Sequence, residues 1–292
     1  MSDRVVITGA AGQLGRALAA RSAEEGRDVA AFTSAEWDIT DPSGAGTRLR
    51  AADVLVNCAA YTDVDGAQTD PQRAQAVNAT GPQVLAAACA HAGVRLIHIS
   101  TDYVFGGAAV GGSCDRPHTP RDPVAPVNVY GASKLAGERG VLATLPGAHV
   151  LRTAWVYTGG TDDGDFVAVM RRLAAGQQDV SVVDDQVGSP TYVVDLVAAI
   201  LELVDAGPAG PGEGLCHAAN QGAVSRFTQA RAVFAAVGAD PERVRPVPSA
   251  QQARPAPRPR YSALACAGVT PLRDWRQALA AALGTRPLSS TP

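Results

Sequence analysis

The tightest constraint on this chain lies in its first fifteen residues. Arg4 to Thr8 is a short, mostly apolar run, and Thr8-Gly-Ala-Ala-Gly-Gln-Leu-Gly15 follows it directly, with glycines at 9, 12 and 15. This spacing, after a buried strand and at the head of a helix, is the form a phosphate-binding turn requires. Gly9 permits the tight turn, Gly12 lets backbone N–H groups approach a pyrophosphate, and Gly15 lets a helix over Gly15 to Glu25 pack close to the sheet. The helix N-terminus adds positive partial charge toward the anion. With 30 glycines in the chain the triplet alone is weak; its place in the first strand-turn-helix unit points to a dinucleotide.

Short apolar runs then alternate with helical patterns. Strands are expected at Asp28 to Phe32, Asp53 to Asn57, Arg95 to Ser100, His149 to Trp155 and Asp179 to Val183. Helices are expected at Pro71 to Ala92, Val129 to Ala143, Phe166 to Ala175, Tyr192 to Val204, Arg226 to Val237 and Asp274 to Leu283. Runs apolar on both faces are what strands of a covered parallel sheet need. The expected fold is therefore α/β, a Rossmann-like doubly wound parallel sheet with a smaller C-terminal substrate-binding lobe. Residues 1–155 are assigned to the NAD(P)-binding domain and 156–292 mainly to the lobe, with about 190–225 returning to the core. Gly106 to Val127, rich in Gly and Pro, reads as a long surface loop of the kind that often forms a lid.

Composition excludes several classes. Hydrophobic residues make up 46% and charged residues 18% of the 292, and the net charge is −3. That balance gives no bias toward nucleic acid or anionic membranes. No run approaches the ~18 apolar residues of a membrane span, and the N-terminus lacks the features of a secretory signal. The cysteines (58, 89, 114, 216, 266) show no C-x-x-C spacing and the five histidines show no ligand spacing. Reduced thiols, a cytoplasmic location and no metal site are expected.

Chemistry concentrates in two places. Tyr130 and Lys134 stand four apart at the start of a predicted helix, so they share one face. An ammonium beside a phenol lowers its pKa from about 10, and such a phenol can protonate a carbonyl oxygen as hydride reaches the carbon. Thr101 ends a predicted strand, at the edge where doubly wound sheets place ligands, and its hydroxyl can hold that carbonyl. For the cofactor, the end of the second strand near Thr33-Ser34 is uncharged, which favours NADPH with NADH tolerated. Asp38 and Ile39 are expected to flank the adenine. Arg254, Arg258 and Arg260, in a Pro/Arg-rich stretch, offer bidentate hydrogen bonds to a diphosphate.

These residues resemble those of the extended short-chain dehydrogenase/reductases. Longer runs narrow the likeness: Asn57-Cys-Ala-Ala-Tyr-Thr-Asp-Val-Asp65, Ser100 to Gly106, Asn128 to Glu138, Arg152-Thr-Ala-Trp-Val-Tyr157, Val183-Asp-Asp-Gln-Val-Gly-Ser-Pro-Thr191 and Arg258-Pro-Arg-Tyr-Ser262 resemble the dTDP-4-dehydrorhamnose reductase family, from about residue 4 to 284. The resemblance implies reduction of the C4 ketone of a dTDP-linked 4-keto-sugar. It implies that Gly12, Gln13 and Leu14 meet the cofactor diphosphate and that Ala60, Tyr61 and Thr62 line the cofactor. It further implies that Thr101 and Asp102 contact the sugar, that Tyr130 donates the proton, that Lys134 holds the nicotinamide ribose and that Trp155 packs against the sugar. Arg258 is carried as a substrate residue, and Asn78 as a residue that orients the site or packs its helix.

There are departures from the family pattern. Ala17 stands where some members carry an acid that helps hold Mg²⁺, which counts against Mg²⁺ here. Asp165 stands where the family has Asn. Three other readings stay open: a related nucleotide-linked 4-keto-deoxysugar reductase, a dehydratase or epimerase, and a non-catalytic dinucleotide-binding regulatory subunit like that of methionine adenosyltransferase. Dehydratases resembling this chain carry Thr-Asp-Glu where it has Thr101-Asp102-Tyr103, and the complete Thr101, Tyr130, Lys134 set argues against a regulatory role. A homodimer is an assembly the sequence allows.

Overall fold

A computed structural model describes residues 4–45, 47–106, 116–210 and 212–286. The chain runs β1 (Val5–Thr8), α1 (Gln13–Glu24), β2 (Val29–Phe32), β3 (Val54–Asn57), α2 (Val64–Thr69), α3 (Pro71–Gln75), α4 (Gly81–Ala92), β4 (Arg95–Thr101), α5 (Val129–Thr144) and β5 (His149–Thr153). It continues through β6 (Val156–Tyr157), α6 (Phe166–Ala174), β7 (Val180–Val183), β8 (Val187–Gly188), β9 (Thr191–Tyr192), α7 (Val193–Ala206), β10 (Leu215–His217), β11 (Val224–Ser225), α8 (Arg226–Ala236), β12 (Val244–Val247) and α9 (Trp275–Leu283).

Six strands form a parallel sheet in the order β10-β5-β4-β3-β1-β2. Strand alternation divides the side chains between two cores. Val5, Ile7, Val54 and Val56 face Leu18 of α1 and Leu196 and Ile200 of α7. Val6 and Leu55 face Leu85 and Cys89 of α4, Val141 of α5, and Trp37, Ile39 and Leu49 from the β2–β3 connection. A third core, built after residue 156, joins Tyr157, Val167, Met170, Val182, Phe234, Val244, Trp275 and Leu279.

The chain leaves β1 toward β2 on one side, while β3 lies on the other, so a crevice opens at the carboxyl ends of β1 and β3. The glycine turn sits there. Gly9 has φ +72°, and a Cβ on it would come within 2.6 Å of the Ala59 nitrogen just after β3. Only glycine allows that turn to lie against its neighbour.

The predicted elements appear with ends shifted by a residue or two, with one correction. The helix expected over Pro71 to Ala92 is interrupted by a π-helical turn at Ala76–Thr80, between α3 and α4. Such turns insert a residue to re-aim side chains, and this one holds Asn78. Of the expected loop from Gly106 to Val127, residues 107–115, including Cys114, lie outside the described residues; its remainder carries isolated bridges from Gly106 to Pro126 and from His118 to Leu264. No helix among the described residues is long and apolar enough to cross a membrane.

Candidate active site

β4 delivers Thr101 to the carboxyl edge of the sheet, where its Oγ1 accepts from the Tyr103 N–H at 3.2 Å and begins a 3₁₀ turn over Asp102–Val104. α5 starts opposite it. Asn128 caps α5 by accepting from the Gly131 N–H at 2.8 Å, and its amide donates to the Pro257 carbonyl at 2.8 Å, which ties the helix start to the C-terminal segment. The first two turns of α5 therefore aim Tyr130 at Thr101 and Lys134 at the β4 backbone just before it. The Tyr130 phenol is hydrogen-bonded with Thr101, and its ring meets Tyr103 edge-on at 5.6 Å.

Lys134 is buried, and its Nζ donates to the Ile99 carbonyl at 2.7 Å. Burial lowers its pKa to about 8, opposed by Glu138 and Cys58. Here the structure corrects an expectation. The groups that act on the Tyr130 phenol are burial, Thr101, Asp102 and Tyr103. Burial pushes it up and the Thr101 hydrogen bond only partly offsets this, while the Lys134 ammonium is turned toward Ile99. Withdrawal from water outweighs the expected lowering by Lys134.

Behind these groups lies a buried ion pair. Glu138, one turn beyond Lys134, accepts from Arg152 Nε at 2.8 Å and Nη2 at 2.7 Å, and from the Ser100 hydroxyl at 2.6 Å. It locks α5 to β4 and β5. Asp102 is also buried, accepting from Ser262 and from Thr101 Oγ1. Burial raises its pKa to about 6, opposed by Ser262, Arg226 and Thr101.

On the cofactor side, Gly12 is the N-cap of α1 and supplies no side-chain cap. The first-turn N–H groups of this 12-residue helix are left for an anion, so turn and crevice fit a dinucleotide diphosphate. Gln13 donates to Asp165 at 2.9 Å, and Leu14 packs on the first core. Ala60 and Tyr61 are half-buried after β3 and Thr62 is exposed. Asp38 is exposed and accepts from Thr40 N and Oγ1 at 2.9 and 2.8 Å, while Ile39 is buried in the second core. The end of β2, read as uncharged, carries a carboxylate: Glu36 folds back to accept from Thr33 N and Oγ1, each at 2.8 Å. The turn after the strand brings it there, which strand spacing alone does not reveal.

On the substrate side, Arg258 is not free for a diphosphate as expected. Its guanidinium binds both carboxylate oxygens of Asp65 and the Ala256 carbonyl, and it also hydrogen-bonds Tyr103. Arg254 and Arg260 are exposed. Trp155 follows β5 with φ +47°, rare for a bulky residue. Its indole lies against Gly188, where any Cβ would collide with the ring. One face of the ring is covered by Arg226, a residue missed in sequence. Its signal was available: an arginine at the first position of a predicted helix, where the helix dipole disfavours a cation.

Comparison with known proteins agrees with this geometry. Residues 3–286 match the family model described as the RmlD substrate binding domain. A dTDP-4-dehydrorhamnose reductase of Mycobacterium tuberculosis (strain ATCC 25618 / H37Rv) is 63% identical over 295 residues, covering 99% of this chain and 95% of that protein. A dTDP-4-keto-6-deoxy-D-glucose reductase of Streptomyces niveus is 41% identical, covering 96% of each. The crystal structure of dTDP-4-dehydrorhamnose reductase from Bacillus anthracis in complex with NADP superposes with a TM-score of 0.86 at 36% identity, over 96% of this chain and 98% of that one.

Proposed function

The chain belongs to the dTDP-4-dehydrorhamnose reductase family, and from that membership we propose that it reduces the C4 ketone of dTDP-4-dehydro-L-rhamnose to give dTDP-L-rhamnose. The observation that supports this reading is the hydrogen bond between Tyr130 and Thr101 at the carboxyl end of β4, with Lys134, one helical turn on, buried against the Ile99 carbonyl of the same strand. NADPH, with NADH tolerated, supplies the hydride. Gly9, Gly12 and Gly15 with the N-terminus of α1 hold its diphosphate, and Asp38 and Ile39 border its adenine. Ala60, Tyr61 and Thr62 line its path along β3.

Thr101 holds the ketone oxygen, and Tyr130 gives that oxygen its proton as the carbon is reduced. Lys134 keeps a positive charge beneath the reacting groups and holds the nicotinamide ribose. Asp102 and Trp155 border the sugar, and Arg258 with Asp65 closes the far wall. Residues 156–292 mainly form the substrate-binding lobe. The enzyme acts in the cytoplasm on a small molecule, and a homodimer is the assembly proposed.

The Streptomyces niveus relative supports a second reading, reduction of another dTDP-linked 4-keto-deoxysugar. The purified protein, given NADPH or NADH with dTDP-, UDP- and GDP-linked 4-keto-sugars, separates the two by rate and product stereochemistry. Failure to oxidise NADPH with any of them, without a partner protein, would overturn the enzymatic reading.

A further inference from the structure

We propose that Asp165, acting through Gln13 as a positioning residue, couples the cofactor side of the cleft to the substrate side, so that each ligand strengthens the binding of the other. The inference rests on the proposed function, which puts a dinucleotide at the glycine turn and a nucleotide-sugar beside Trp155.

Asp165 stands where the family has Asn, and the departure has a geometric consequence. Its Oδ1 accepts from the Ala168 N–H at 2.9 Å and so caps α6. Its Oδ2 accepts from the Gln13 amide at 2.9 Å and from the Thr158 N–H at 3.1 Å. A carboxylate accepts through both oxygens, whereas an asparagine has one accepting oxygen and a nitrogen that only donates. Asparagine at 165 would keep the cap and lose the bond from Gln13.

Gln13 is the first residue of α1, and its backbone N–H is among those left for the cofactor diphosphate. Its backbone therefore serves one side of the cleft while its side chain reaches a residue 152 positions away, at the start of the lobe. A second tie runs beside it. Arg16 donates to Asp163 at 2.8 Å and to the Ala11 carbonyl of the glycine turn at 2.7 Å, and Asp163 accepts from the Thr158 hydroxyl at 2.8 Å. The stretch 158–165 has no helix or strand of its own; its two carboxylates fasten it to the head of α1.

On the other side of Asp165 stands Phe166, the first residue of α6. The Phe166 ring centre lies 4.7 Å from the Arg226 guanidinium carbon, which is itself 3.5 Å from the centre of the Trp155 ring. Gln13, Asp165 and Phe166 thus form a short contiguous path from the glycine turn to the wall of the substrate site. Such a path couples two ligands when both favour the same arrangement of it. An anion fixed on the N-terminus of α1 holds Gln13, Gln13 holds the α6 cap, and the cap places Phe166.

The test is calorimetric titration of dTDP, with and without saturating NADPH, on the wild type, Asp165→Asn and Gln13→Ala. The wild type should bind dTDP about fivefold or more tightly with NADPH present, and dTDP should tighten NADPH binding by the same factor. In both variants the ratio of the two dTDP dissociation constants should fall toward one. A role in folding alone would weaken each ligand by itself and leave that ratio unchanged. A wild-type ratio of one or below, or a ratio that either variant keeps, overturns the proposal. A second measurement needs no variant: NADPH alone should slow amide hydrogen exchange over 158–168 of the wild type, and unchanged exchange there overturns it. An active wild type without coupling sinks this inference alone, whereas an inactive wild type that binds no dTDP sinks the reading beneath it.

Discussion

Asn78 holds Tyr61 by both ends of its peptide backbone: its Oδ1 accepts from the Tyr61 N–H at 2.8 Å and its Nδ2 donates to the Tyr61 carbonyl at 3.0 Å. The same Nδ2 reaches the Ser133 hydroxyl at 3.1 Å, next to Lys134. The π-helical turn thus couples the segment after β3, proposed to line the cofactor, to the start of α5 that carries Tyr130 and Lys134. Asn78→Ala should destabilise the protein by about 1–3 kcal/mol and raise the KM for NADPH. Asn78→Asp, which still accepts but no longer donates, should fall between; denaturant unfolding and cofactor titration check both, and a wild-type KM in the alanine variant would refute the coupling.

Tyr130→Phe removes the proposed proton donor and keeps the edge-on packing against Tyr103. Its kcat should drop by about 10²- to 10⁴-fold while the Kd for NADPH stays close to wild type. Single-turnover kinetics make the comparison, and near-normal turnover would contradict the assignment.

Lys134 titrates at about 8 because burial disfavours its charged form. In the proposed mechanism the ammonium is the working form, present below that value and lost above it. The wild-type kcat should therefore fall as pH rises through about 8. In Lys134→Arg, whose guanidinium stays protonated, residual activity should show no such limb. A flat wild-type profile up to pH 10 would assign the charge elsewhere.

Asp102 has a folded pKa raised to about 6 from the ordinary 3.8. Burial penalises its carboxylate, so the cost to stability is absent below the unfolded value, grows between the two, and is complete above about 6. Asp102→Asn should stabilise the fold by about 2–3 kcal/mol at pH 8, with the gain shrinking as pH falls toward 4. Equal gains at pH 8 and pH 4.5 in urea titrations would show that the carboxylate is not the source.

Glu36 places its carboxylate at the end of β2, where a cofactor 2′-phosphate would meet like charge. Glu36→Gln should shift the kcat/KM ratio of NADPH to NADH several-fold toward NADPH. An unchanged ratio would mean that the carboxylate does not face the ribose.

What the sequence determined by itself was local and periodic. The glycine turn, the strands apolar on both faces and the Tyr130–Lys134 spacing each follow from steric and helical rules acting over a few residues, so they were legible without coordinates. The tertiary structure decided the pairings between distant segments: Arg258 with Asp65, Glu138 with Arg152, Asn78 with Tyr61 and Arg226 with Trp155. Their partners lie 14 to 193 residues apart, and no periodicity links them. The tertiary structure also decided the electrostatics, because water excluded by packing, more than the neighbouring ammonium, sets the acidity of Tyr130. Burial is a property of the whole fold, and a spacing of four residues does not contain it.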